Sequence, residues 1–117
     1  MPKPASATTR RVTAKSSKSS VSHEAWLLEH LKDPAEAAAY VEAAIDEGDQ
    51  PALMMALRNV ALAQGGISKI ARKSKLTREA TYRMLSASGN PELRSLTAIL
   101  GAAGLSLSVK PIGRRAP

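Results

Sequence analysis

Apolar residues recur at helical spacing in six stretches of this chain, and the residues between them are the ones that start and stop helices. Residues 23–31 (HEAWLLEHL) predict a short amphipathic helix anchored by Trp26, Leu27 and Leu31. Asp33, Pro34 and Glu36 then supply an N-cap, a first-turn proline and an acid one turn in, which opens a second helix. That helix is expected to run to about Glu47, to stop at Gly48, and to bury Ala37, Tyr40, Val41, Ala44 and Ile45. A third opens around Pro51, buries Leu53, Leu57, Val60 and Ala61, and ends near Gln64 before Gly65-Gly66. Two shorter helices follow. A last one, capped by Asn90-Pro91-Glu92, covers about residues 93–103, buries Leu96, Ile99 and Leu100, and stops at Gly104. Residues 105–110 (LSLSVK) alternate apolar and polar, which predicts a short half-buried strand. A lone strand leaves its backbone groups unpaired. The expectation is pairing with its twin in a dimer through Leu105, Leu107 and Val109; the alternative is an extended tail packed on the body.

The two shorter helices lie in GISKIARKSKLTREATYRMLSASGNP, and their positional logic is that of a helix-turn-helix. Ala71 is the small residue that lets the second helix cross close by, Leu76 plugs the turn, and Thr77 caps the second helix. Ala80, Met84 and Leu85 continue the inward face. Thr77, Arg78, Glu79, Tyr82 and Arg83 are then left for a DNA major groove. Arg pairs in bidentate fashion with guanine and Glu accepts from cytosine. Ser68, Lys69, Arg72, Lys73 and Lys75 surround the motif as candidate phosphate contacts, which position a protein without reading sequence. Two positions depart from the usual pattern. Lys75 stands where glycine is common, and Thr81 where an aliphatic side chain packs. The plainer alternative is a pair of surface helices with solvated charge.

Composition sharpens this picture. The core must be aliphatic, because the chain has no Phe, one Trp and two Tyr. It has no cysteine, hence neither a disulfide nor a thiolate metal site, and no apolar run of membrane-spanning length. Two histidines seven residues apart, His23 and His30, lack a third ligand, so no metal and no cofactor is expected. No catalytic constellation is visible, which argues against an enzyme. The net charge of +7 is segregated. Residues 1–22 carry five basic residues and no acidic ones, residues 23–53 eight acidic and one basic, and residues 54–117 eleven basic and two acidic. The expected organisation is a disordered basic arm (1–22), acidic N-terminal helices (23–50), a helix-turn-helix DNA-binding unit with a C-terminal strand (51–112), and a tail (113–117). Two charge-segregated halves point to two different partners.

Two blocks, LKDPAEAAAYVEAAIDEGD (31–49) and GNPELRSLTAIL (89–100), flank the motif, and with it the chain resembles the addiction-module antidote proteins, antitoxins of HigA-like type. The resemblance covers about residues 31–112. It implies an all-α, Cro/lambda-repressor-like helix-turn-helix bundle with extra N-terminal helices, acting as a homodimer on double-stranded operator DNA. It also implies a small toxin partner, usually an RNase of RelE-like fold, and an operon repressed by its own product. By family position Thr77, Arg78, Glu79 and Arg83 take the recognition role. An RNase grips a polyanion and tends to be basic, so Glu36, Glu42, Asp46 and Glu47 become candidate toxin-binding residues; a merely solvated helix face is the alternative. The expected location is the cytoplasm, on the nucleoid. A stand-alone repressor without a toxin, and a basic nucleic-acid binder without sequence preference, are the other readings.

Overall fold

The computed structural model describes residues 16–113, and among them every regular element is a helix. The order is α1 (Ser16–His30), α2 (Pro34–Glu47), α3 (Gln50–Ala63), α4 (Ile67–Ser74), α5 (Arg78–Met84) and α6 (Leu93–Ala102).

Local chemistry sets the boundaries. The Asp33 carboxylate accepts the Ala35 N–H at 3.0 Å, and Pro34 occupies the first turn of α2. Gly48 closes that helix in the left-handed region (φ 73°), which costs glycine little. Asp49 follows at once as the cap of α3, its carboxylate accepting the Ala52 N–H at 3.4 Å. A stop and a start in adjacent residues fold α3 back along α2, and the two helices pack together.

One apolar cluster runs through the molecule. Leu31, Ala37 and Val41 meet Met54, Leu57, Val60 and Ala61 of α3, and the cluster continues through Ile67, Ile70, Leu85, Ile99, Leu100 and Ala103. The acidic helices and the basic ones therefore share a core. Side-chain hydrogen bonds tie the layers at its rim. Asn59 Nδ2 donates to the Tyr40 hydroxyl (3.0 Å), and Gln64 Nε2 donates to the Leu31 carbonyl (3.0 Å) between α1 and α2. Ser74 Oγ donates to Ile70 O (2.7 Å) and reaches Ala98 O of α6 at 3.3 Å.

Several expectations change. Helix α1 begins at Ser16, so residues 16–22 are helical where a disordered arm was expected; residues 1–15 lie outside the described residues, as do residues 114–117 of the tail. Trp26 is no core anchor: it is 57 % exposed, while Leu27 on the same helix and Leu31 just past its end face inward. Ile45, expected in the α2 stripe, is exposed, because it lies at the end of the helix beside the α2–α3 turn. Residues 105–111 form no strand in the single chain. Only the Leu105 N–H is tied down, to Leu100 O at 2.7 Å, and beyond it no neighbouring strand offers a ladder. Leu105 packs on the core, whereas Leu107 is 43 % and Val109 97 % exposed.

Candidate nucleic-acid interface

Helix α4 lies against α3, α5 and α6, burying Ile67, Ile70 and Ala71 and leaving Ser68, Lys69, Arg72 and Lys73 in solvent. Its opening residue, Gly66 (φ 104°), gives no side-chain cap, so the first-turn N–H groups keep their donor capacity. The Lys69 side chain folds back over Gly65, where a Cβ would collide with its methylene groups. Gly65 thus gives the lysine stem a place to lie.

The connection to α5 is a left-handed turn. Lys75 sits at φ 62°, ψ 39°, where its N–H reaches back to the Arg72 carbonyl at 3.2 Å. The following Leu76 N–H bonds Ala71 O at 2.9 Å, and its side chain packs on the core. The sequence put an unusual residue where the backbone requires φ > 0, and the structure keeps that geometry with a lysine in it. Thr77 then caps α5: its Oγ1 accepts the Ala80 N–H at 3.0 Å, so the hydroxyl has its proton left to donate outward.

Helix α5 divides cleanly. Arg78, Glu79, Tyr82 and Arg83 are exposed and fall within an arc of roughly 140° around the axis. Ala80, Thr81, Met84 and Leu85 fill the complementary arc and face the core. Thr81 resolves the second oddity of the sequence. It is fully buried, and its hydroxyl donates to the Thr77 carbonyl at 2.8 Å, so its methyl packs as an aliphatic group would while the polar atom stays paired. The Arg78 guanidinium lies over the Tyr82 ring, 5.1 Å from its centre. The ten residues assigned from sequence to bases or phosphates therefore come together on α4, its turn and the outer face of α5, all of them exposed.

Sequence reasoning passed over what holds α5 in place. Gly89 is buried, and a Cβ there would overlap the Met84 carbonyl oxygen and stand 2.9 Å from Arg83 O. Its own carbonyl accepts from Gln50 Nε2 at 3.0 Å, tying the segment after α5 to the start of α3. The Gly-Asn-Pro run marked a turn but gave no sign of this close approach.

The acidic candidates occupy another surface. Glu36, Glu42, Asp46 and Glu47 are all exposed on α2. Glu36 Oε1 is 3.0 Å from His30 Nε2, and Glu42 is 3.9 Å from Lys110 Nζ, while Asp46 and Glu47 make no ion pair among the described residues. No group of His, Asp and Glu side chains with metal-holding geometry occurs among the described residues, and no helix there is long and apolar enough to cross a membrane.

A family model described as probable addiction module antidote protein matches residues 24–111. The chain belongs to that family. The match spans the second half of α1, all of α2 to α6, and the segment after them, so it takes in the acidic surface and the α4–α5 unit alike. A relative from Haemophilus influenzae, described only as an uncharacterized protein, is 30 % identical over 82 residues, which is 70 % of this chain and 84 % of that one. No solved structure matches. Antidote-family membership supplies the toxin–antitoxin context.

Proposed function

We propose that this antidote-family chain is the antitoxin of a two-gene module, neutralising a small basic RNase toxin and repressing its own operon as a homodimer on double-stranded DNA. The observation that carries the DNA-binding half is the α4–α5 unit: a capped helix with Arg78, Glu79, Tyr82 and Arg83 on an otherwise unoccupied face, ringed by exposed lysines and arginines. In this reading α5 enters the major groove as the second helix of a Cro/repressor-type helix-turn-helix. Arg78, Glu79 and Arg83 read base edges, Thr77 and Tyr82 assist, and Ser68, Lys69, Arg72, Lys73 and Lys75 hold phosphates. Two copies then span half-sites about 34 Å apart. The protein works in the cytoplasm, on the nucleoid.

The toxin-binding half rests on family membership and on charge. Residues 23–53 hold eight acidic residues against one basic, and the α2 acids face outward. This surface suits a protein whose own ligand is a polyanion, because it covers the same cations that grip RNA.

Co-expression with the product of the adjacent gene, followed by gel-shift titration on the promoter fragment, tests both halves. The expected result is a stable complex with a small protein that is toxic alone, and a preference of ~10³ or more for one palindromic site over random DNA. Arg78→Ala or Arg83→Ala should cost ~1–3 kcal/mol and relax preference at one base position. Reversing the charge of Glu36, Glu42, Asp46 and Glu47 together should abolish toxin capture and spare the operator. Uniform loss on every DNA sequence for the arginine variants would return the protein to a sequence-blind basic binder. DNA binding with no protein partner would leave a stand-alone repressor.

A further inference from the structure

The chain has a single Trp, and the fold leaves it outside. Trp26 is 57 % exposed on α1, although Leu27 of the same helix and Leu31 just past its end turn into the core. It is not a loose side chain. The His30 ring stacks on it with centroids 4.9 Å apart and planes within 12°, and the His23 ring stacks at 5.9 Å and 26°. The spacing 23, 26, 30 places the three rings on successive turns of one helix face. His30 is held in turn by Glu36 of α2, Nε2 to Oε1 at 3.0 Å, which joins this aromatic ladder to the acidic surface. Exposed acids flank it: Glu24 and Glu29 on α1, and Glu36 across the turn. Among residues 23–53 the one cation, Lys32, is already 3.1 Å from Glu29. A rigid apolar edge with an acidic rim has the anatomy of a binding hot spot, where a pre-ordered aromatic enters a pocket and charges around it select the partner.

We propose that the His23–Trp26–His30 ladder is the central anchor of the partner-binding surface, seating in an apolar pocket of a basic protein whose Lys and Arg side chains meet Glu24, Glu29 and Glu36. This deepens the antitoxin reading and rests on it. The charge complementarity singles out a basic occupant over a second copy of this chain, whose matching surface would bring like charges together at a two-fold axis.

Because Trp26 is the sole Trp, it reports on its own surroundings. The probe is the purified product of the adjacent gene, in a catalytically inert form, titrated into the full chain. Trp26 emission should shift to the blue on binding, as the indole leaves water. Trp26→Ala should weaken binding by about 30-fold or more, the conversion of a ~2 kcal/mol hot spot. Trp26→Phe should recover part of that, and operator affinity and helix content should stay at wild-type level in both. A wild-type chain that ignores the adjacent product overturns the antitoxin reading, and the anchor with it. A wild-type chain that binds it with unchanged emission, or with Trp26→Ala as tight as wild type, overturns the anchor alone. A Trp26→Ala variant that binds normally but sediments as a smaller species than wild type would assign the ladder to self-association instead.

Discussion

Lys75 joins a backbone demand to a proposed phosphate contact, and the two can be separated by substitution. At φ 62° and ψ 39° it holds the left-handed position that ends α4 and aims α5. A residue with a Cβ pays roughly 1–2 kcal/mol there. Lys75→Gly removes that strain but returns about 0.5–1 kcal/mol through the freer unfolded chain. The side chain is exposed, and the N–H bond to Arg72 O belongs to the backbone, so neither alters the balance. The net gain is about 0.5–1 kcal/mol. For a domain of this size 1 kcal/mol corresponds to roughly 5 °C, so Tm should rise by about 2–5 °C in calorimetry or a circular-dichroism melt. DNA binding should move the other way. Loss of one phosphate contact lowers the salt slope by about 0.9 and weakens binding about fivefold at 0.15 M salt for each protomer, about 30-fold for the dimer, on every sequence alike. Lys75→Ala is the control, since it deletes the charge and keeps the strain. It should show the same loss on DNA with no gain in Tm. Equal melting of the glycine and alanine variants would show that the turn is not left-handed in solution, and wild-type salt dependence of the alanine variant would remove Lys75 from the phosphate contacts.

Other substitutions probe the supports of the interface. Gly89→Ala should destabilise by about 2–3 kcal/mol in urea titrations and weaken operator binding as well, because only backbone at the end of α5 can give way; a neutral result would mean the segment after α5 relaxes freely. Thr81→Val should cost under ~1 kcal/mol, while Thr81→Ser, which deletes the buried methyl, should cost about 1 kcal/mol or more; the reverse order would show the hydroxyl to be the stabilising group. Leu107→Asp with Val109→Asp should leave folding intact and turn a dimer into a monomer in sedimentation, with a corresponding loss of operator affinity. A persistent dimer would place the interface elsewhere.

Most of the helical scaffold was legible because its signals are local. Asp33-Pro34, Gly48 and the apolar spacing of α3 act within one or two turns, and the helices start and stop near where these residues put them. The core was legible wherever an aliphatic residue repeated at helical spacing. What failed depended on neighbours. Trp26 is the most apolar-looking anchor of its segment, yet exposure is decided by what packs opposite it, and the core is already filled by Leu27 and Leu31. The alternation at 105–110 is real, but a strand exists only with a partner, and the described residues of a single chain give it none. The exposure of the outward positions on α4 and α5 was legible from periodicity, and their supports were not, since Gln50 and Gly89 are 39 positions apart in the sequence.

The continuous cluster from Leu31 to Ala103 makes this a single cooperative unit under load. Whatever seats on α1 and α2 lowers the free energy of the folded state as a whole, so it withholds α5 from unfolding as firmly as it withholds the helices it touches. At a partner concentration 100 times its Kd that protection amounts to about 2.7 kcal/mol, close to a hundredfold fewer unfolded chains. The lifetime of α5 against proteases would then follow the abundance of a protein bound at α1 and α2.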